Sequence, residues 1–418
     1  MSELQTWIEA LAQVGATGDG GVFRGALSDE EHAAQELAAG WMRQAGLSTR
    51  RDAAGNLWGR VDGTRPGAPA VVTGSHLDSV RNGGSYDGPY GVLGGLIAVR
   101  EVVHRHGPPT RPLEVVAFTG EEGSRFPIGV IGSRAVAGRL GRQHVDTMAD
   151  DAGVTIGGAL RRAGLDPDRL SEAWRSDIAA YSDIAAYIEM HIEQGPMLEA
   201  QGVPIAVVQG IVGTQRVSVT VHGRADHAGT TPMSMRRDAL VGAARMITHL
   251  PDLATRFGRG VLTSGRIAAF PGSTNVVPER VEFTIDCRHP EEERKQEMLA
   301  AAKAICEREG AALGLGVTWR LPAPGHPPVA MSEQIQALLR ASCRELGMRY
   351  MDMFSGAGHD AQMMASICLA GMLFIPCRDG RSHTPEEHAT AADMEAGIAG
   401  LARCLYKLAY EDALGRGQ

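Results

Sequence analysis

The chain reads as an α/β protein: a mostly parallel-sheet domain with helices on both faces, plus an inserted ferredoxin-like α+β domain. Three observations predict this. Short apolar runs bounded by turn residues alternate with helical periods along most of the chain, as crossover helices between parallel strands require. Between about 213 and 327 the order becomes β-α-β-β-α-β, the split pattern of ferredoxin-like sandwiches. The 418 residues exceed what one core usually holds, and 44% of them are apolar, enough to fill two. The domains are therefore 1–212 with 328–418, and 213–327, with PAPGHPP as the return linker.

The elements follow in order. Residues 4–14 and 29–46 have helical spacing, the second opened by Ser28 and an acidic turn and closed by Gly46. After a short NLWGRV strand, PAVVTGSHLDSVRNGGSYDGPYG (69–91) reads as a buried strand that delivers Ser75, His76 and Asp78 into a glycine-rich loop around Asp87. A small-residue helix runs to about His106, and a second buried strand, LEVVAFTGEEGSRF, ends in Glu121 and Glu122. From 129 to about 180 short helices and glycine turns suggest loops over a site. A third apolar strand, AAYIEMHIEQG (185–195), puts Glu189, His191 and Glu193 on one face by its period of two.

The insert reads as strand (QRVSVTVHGR), helix (236–250), strands (261–270 and 280–287), helix (291–309) and strand (315–320). The larger domain resumes with a helix (332–346), the loop FSGAGHDAQ, a strand (371–377), the loop RDGRSHTPEEH, and a closing helix from 390 to about 410.

Composition excludes several roles. The formal net charge is −8, lysine is almost absent, aromatics are 5%, and no basic run alternates with aromatics, so nucleic-acid binding is not expected. The N-terminus lacks the basic start and apolar core of a signal peptide, and no stretch is long enough to cross a bilayer, so a cytoplasmic protein without membrane partners is expected. The six cysteines, all after residue 286, show no close ligand pairs and read as reduced thiols.

In a sheet of this kind sites form beyond the carboxyl ends of the strands. A histidine at one strand end is more often a satisfied residue than a ligand. Here four strand ends carry ligand types: His76 with Asp87, Glu121 with Glu122, His191, and His383. Clustered carboxylates repel and neutralise unless a cation offsets them, so convergence implies bound metal. Three histidines with carboxylates suit zinc first, with manganese, cobalt or nickel as alternatives. Asp87 has two oxygens with which to bridge two divalent ions, leaving His76 and His191 to one and Glu122 and His383 to the other. Adjacent Glu121 and Glu122 cannot point the same way on a regular strand, so Glu122 is assigned to metal and Glu121 to general base.

These residues resemble the dinuclear zinc aminoacylase and carboxypeptidase (peptidase M20) superfamily, in its amidase, hydantoinase and carbamoylase branch. The likeness covers essentially the whole chain and rests on GSHLDSV with NGGSYDG, TGEEGSRF, HIEQGP, GRADHAGTTPM with RRDA, GSTNVVPE, DCRHP, SGAGHDA and SHTPEE. It implies the same five ligands and base, two metal ions per subunit, and a homodimer built through 213–327, which then also acts as a lid. It also makes His227 an oxyanion stabiliser reaching the neighbouring subunit's site, and Asn275 and Arg288 binders of substrate carboxylate and ureido oxygen. Gln194, Gln215, Arg216, Gly358 and His359 are weaker candidates for the pocket wall, His359 equally a structural loop residue.

The expected reaction is hydrolysis of a linear ureido C–N bond, with Glu121 taking a proton from the attacking water and returning it to the leaving nitrogen. Arg216 after Gln215 tips the small-molecule substrate modestly towards allantoate over an N-carbamoyl-L-amino acid. β-Ureidopropionase activity, an aminoacylase or aminopeptidase, and a metal-binding scaffold without chemistry are the alternatives. Intact Glu121 argues against the last of these.

Overall fold

The structure is a computed structural model that describes residues 2–175, 183–411 and 413–414. Its contacts divide into two compact units, 1–209 with 330–418, and 210–329.

The first unit is organised by a nine-stranded sheet. Its strands are β1 (Ser48–Arg51), β2 (Leu57–Val61), β3 (Ala70–His76), β4 (Leu113–Phe118), β5 (Ile184–Ile192), β6 (Ile205–Ile211), β7 (Val329–Ala330), β8 (Tyr350–Ser355) and β9 (Leu369–Ile375). They lie in the order β1-β2-β4-β3-β5-β9-β6-β7, with β8 also paired to β6. In the centre β4, β3, β5 and β9 run parallel, while β1 pairs antiparallel with β2, β2 with β4 and β6 with β9. The sheet is therefore mixed, and the parallel middle is where the apolar runs are longest. Buried on both faces, such strands need near-continuous apolar sequence, and β3 and β4 are buried at every position.

Both faces are covered. Val71, Val115, Ala117, Ile188, Met190 and Leu373 pack into one core with the helices Glu3–Ala12, Pro89–His106, Glu333–Glu345 and Ala391–Ala409. On the other face Trp58, Phe118 and Tyr187 meet edge to face, beneath the short helices Ile131–Val136 and Ala361–Met364. Each such side chain contributes about 1.5–3 kcal/mol by leaving water.

Three readings of this unit need correction. The strand ending LEVVAF stops at Phe118, so Glu121 and Glu122 stand in the loop beyond it and strand alternation does not govern them. Glu193 also lies past its strand, where its carboxylate accepts from the backbone N–H groups of Met197 and Leu198 at 2.8 and 2.7 Å and caps a short helix. The segment from 129 is a packed helical cluster: Ile131, Ala135, Leu140, Val145, Ile156, Leu160 and Leu170 share a core of their own. Residues 176–180 of that reading lie outside the described residues.

In the second unit Gly213–His222 is flanked by Arg280–His289 and Gly316–Arg320, with Ile267–Phe270 beyond Arg280–His289, all antiparallel. The stretch expected as one strand over 261–270 is two, Val261–Thr263 and Ile267–Phe270, both paired to Arg280–His289. Val217, Val219, Val221, Phe283 and Ile285 turn inward against Met246 of the helix Ala239–Arg256 and Met298 of Glu292–Ala312. That alternation leaves Ser218 and Thr220 on the other face and fixes the register, since a slip of one residue would expose every valine.

Candidate dinuclear metal centre

Four chain segments meet at the carboxyl ends of the parallel strands. His76 is the last residue of β3, and His191 is next to last in β5. Asp87 is held in the loop between β3 and the helix Pro89–His106, where Gly88 takes φ +83 and lies so close to His76 that a Cβ there would sit 2.5 Å from the ring. Only glycine lets imidazole and carboxylate stand side by side here. Glu122 follows β4, and His383 stands eight residues beyond β9 with φ 59, a left-handed backbone that costs a non-glycine residue on the order of 1 kcal/mol.

The side chains form two groups of three that share one residue. Ligand atoms of His76, Asp87 and His191 all lie within 4.8 Å of one another, as do those of Asp87, Glu122 and His383. Asp87 Oδ1 is 3.5 Å from His76 Nε2 and 3.0 Å from His191 Nε2, and its Oδ2 is 3.2 Å from His383 Nε2. His383 Nε2 is 3.5 Å from Glu122 Oε2. Two bonds of ~2.1 Å at a tetrahedral angle separate their ligand atoms by ~3.4 Å, so these spacings fit a cation between them. His191 Nε2 is buried without a hydrogen-bond partner although Asp87 Oδ1 is near. Two imidazoles, a bridging carboxylate, a second carboxylate and a third imidazole are a donor set for borderline divalent ions.

The electrostatics say the same. Burial pushes the Glu122 carboxyl up to about 8, and Asp87 adds to the effect. Glu121 is raised well above the carboxylate range by burial, with His76 opposing. Burial alone would raise Asp87 as well, but the imidazoles of His191, His383 and His76 hold it well below. A bound divalent cation would replace the protons on this cluster and leave its carboxylates ionised.

The surrounding residues fix the ligands. His76 Nδ1 faces the backbone carbonyl of Asp78 at 3.1 Å, so its Nε2 is the nitrogen turned to Asp87. His191 Nδ1 faces the carbonyl of Ile192 at 2.8 Å in the same way. The carboxylate of Asp78 accepts from the N–H groups of Glu121 and Glu122 at 2.9 and 3.1 Å and sets the direction of both. Glu31 accepts from Gly120 N at 2.9 Å and Leu27 N at 2.6 Å. The sequence presents Glu31 as one of three acids in an exposed first helical turn, but it is buried, and burial raises its carboxyl to about 8. Glu189 shares a face with His191 but is a satisfied core acid, receiving Ser75 Oγ and Ala361 N.

Of the weaker candidates, Gln194 lies among the ligands, its Nε2 2.6 Å from Asp87 Oδ2 and 3.3 Å from His383 Nε2. His359 is buried edge-on against His191, ring centroids 4.6 Å apart, and its Nε2 meets Ser355 Oγ at 2.8 Å. Gly358 stands beside the Gln362 amide.

The second unit holds the remainder. Gln215 and Arg216 point to opposite sides of their strand: Gln215 is buried and donates to the carbonyls of Arg216 and Ala323, while Arg216 is exposed and 3.9 Å from Asp286. Arg288 pairs with Asp286 through both Nε and Nη2. Asn275 accepts at its backbone carbonyl from Ala228 N, next to His227. His227 Nδ1 accepts from the N–H groups of Gly229 and Thr230 at 3.0 and 3.2 Å. The neutral ring therefore carries its proton on Nε2, the nitrogen free to donate. Arg236 braces this loop by donating to the carbonyls of Ala228 and Thr231.

Comparison with known proteins adds independent findings. The model described as peptidase family M20/M25/M40 matches residues 72–407. The chain is 43% identical over 404 residues to the N-carbamoyl-L-amino acid amidohydrolase of Geobacillus stearothermophilus, covering 96% of each. It is 39% identical over 420 residues to the allantoate amidohydrolase of Bacillus subtilis, covering 98% of each. The crystal structure of a hydantoinase/carbamoylase family amidase from Burkholderia multivorans superposes with a TM-score of 0.90 at 37% identity, covering 97% of each chain.

Proposed function

The chain belongs to peptidase family M20/M25/M40, and from that premise we propose that it hydrolyses a linear ureido C–N bond, releasing ammonia and carbon dioxide. The observation that carries this reading is the pair of three-residue groups joined through Asp87, with Glu121 beside them. Allantoate and N-carbamoyl-L-amino acids are the substrates it addresses, in keeping with the relatives that act on each. The exposed Arg216, whose Nε is 3.9 Å from Asp286, gives an anionic substrate a cation to reach.

Two divalent ions, zinc first, held by His76, Asp87, Glu122, His191 and His383, would supply Lewis acidity and bring the pKa of water down towards about 7. Glu121 takes the proton of the attacking water and returns it to the leaving nitrogen as the C–N bond breaks. Its carboxylate is aimed by Asp78 through its own N–H. His227 reaches the neighbouring subunit's site and donates from Nε2 to the oxyanion that develops on the carbonyl there. Arg288 and Asn275 hold substrate carboxylate and ureido oxygen, with Gln194, Gln215, Gly358 and His359 shaping the pocket. The released carbamate decays to ammonia and carbon dioxide.

We also propose a cytoplasmic homodimer formed through residues 213–327. The exposed Leu240 and Val241 of the helix Ala239–Arg256, with Met233 and Met235 before it, support that surface. All six cysteines are free thiols, and no described helix is long and apolar enough to cross a membrane.

The test is a side-by-side assay of zinc- or manganese-loaded protein with allantoate, N-carbamoyl-L-amino acids, N-carbamoyl-β-alanine and N-acetyl amino acids. Ammonia release from one of the first two is expected. Acetate release from N-acetyl substrates with no ammonia from any ureido compound would overturn the proposal.

A further inference from the structure

Glu387 lies one turn of chain beyond His383, is 4% exposed, and faces no solvent that would explain a carboxylate there. Its Oε1 accepts from the backbone N–H groups of Tyr86 and Asp87, each at 2.9 Å. Its Oε2 accepts from Ser382 Oγ at 2.7 Å. The loop that presents Asp87 and the loop that presents His383 are thus fastened to one carboxylate across 300 residues of sequence. Gly84 makes the space: a Cβ there would sit 2.2 Å from Oε1. A second tie joins the same loops, Tyr86 OH with His388 Nδ1 at 3.2 Å.

We propose that Glu387 is a positioning residue for the metal centre, setting the group formed by Asp87, Glu122 and His383. This rests on the reading of that centre as dinuclear. His76 and His191 are carried by strands and held by their own backbone partners. His383 is carried by a loop in left-handed backbone conformation, so it depends on whatever holds the loop. Ser382 Oγ is also 3.0 Å from Asp87 Oδ2. Its single hydrogen cannot serve both acceptors, and the shorter bond goes to Glu387. Removing that carboxylate frees two backbone donors beside Asp87 and releases Ser382, the residue before His383.

The experiment is a zinc titration of the metal-free, full-length protein by calorimetry, with bound zinc counted after dialysis. Wild type is expected to take two equivalents. Glu387→Ala should keep one tight equivalent and bind the other at least tenfold more weakly. Glu387→Gln should recover much of the loss, because its amide oxygen can accept both N–H groups while its NH2 donates to Ser382 Oγ. Gly84→Ala keeps the glutamate but pushes it aside, and should weaken the same equivalent; it decides the matter if Glu387→Ala does not fold. Two equivalents of unchanged affinity in the variants, or equal weakening of both, would overturn the role of Glu387 while leaving the dinuclear reading intact. Fewer than two equivalents in wild type would overturn both.

Discussion

The two groups that share Asp87 use the same chemistry in different surroundings. His76 and His191 are each 1% exposed, project from strands, and have their second ring nitrogen on a backbone carbonyl. His383 is 48% exposed and projects from a loop. A strand-borne ligand in a packed core is positioned before any ion arrives, whereas a loop-borne ligand at the surface leaves room for a substrate and for exchange. On the proposed reading, the difference implies a division of labour: the closed group would anchor, and the open group would admit. Glu121, with Oε2 3.9 Å from His76 Nε2, sits on the closed side.

The largest effect that tests this division is the loss of Glu121, the proposed base. Glu121→Gln keeps the shape and removes the proton acceptor, and turnover on a ureido substrate should fall by about 10²–10⁴, the usual worth of general acid–base catalysis. Metal content, measured on the same preparation, should be unchanged. Turnover near wild type with both ions bound would remove Glu121 from the chemistry and with it the active role of the closed side.

A smaller effect separates the groups directly. In chelator, His191→Ala strips a buried carboxylate of one of its imidazoles and should destabilise the protein by about 3–5 kcal/mol in urea unfolding. His383→Ala removes a half-exposed partner and should cost about 1 kcal/mol or less. With zinc restored, His383→Ala should retain one ion per chain. Equal destabilisation by the two substitutions would mean that burial does not distinguish the groups.

Their legibility in sequence differs for the same physical reason. His76 and His191 stand out because each interrupts or closes an apolar run long enough to be a central strand, where a polar residue asks for an explanation, and Glu122 because it follows such a run closely. Glu31 and Glu387 do not stand out, and Asp78 is placed beside His76 without a role: each is an acid in a loop or first helical turn, where solvated acids are ordinary, and only the fold shows that each is buried and receives backbone N–H groups. β6 was hidden because it is an antiparallel return after a helix of five residues, too short for the strand-helix-strand spacing that reveals parallel pairs. β8 is apolar at Tyr350, Met351, Met353 and Phe354, but Asp352 interrupts the run and only Ser355 is deeply buried. Gln215 and Arg216 look like one polar pair in sequence, yet strand alternation sends them to opposite faces.

The smallest expected effect is a dependence of stability on pH that only the metal-free protein should show. Hydrogen bonding to Asp87 raises His383 from the usual 6.5 to about 9, and burial raises Glu122 from 4.5 to about 8. Both folded values lie above the unfolded ones, so in each case the folded chain holds a proton that the unfolded chain has already released. The stability due to that proton is complete below the unfolded value and is lost as pH rises through the folded one. For Glu122 the window runs from 4.5 to about 8 and for His383 from 6.5 to about 9. Asp87, held well below the carboxylate range, has the opposite sign, but its window lies at acid pH and does not interfere. Calorimetry in chelator should therefore show the melting temperature falling between pH 6 and 9, while the zinc-loaded protein, whose cations take the place of these protons, should fall less. The gap between the two should widen with pH, and His383→Ala should narrow it, leaving the part due to Glu122, Glu121, His76 and His191, which are raised as well. A gap that stays constant from pH 6 to 9 would show that protons and cations do not compete for these side chains, and the distinction between an anchoring and an admitting group would lose its electrostatic basis.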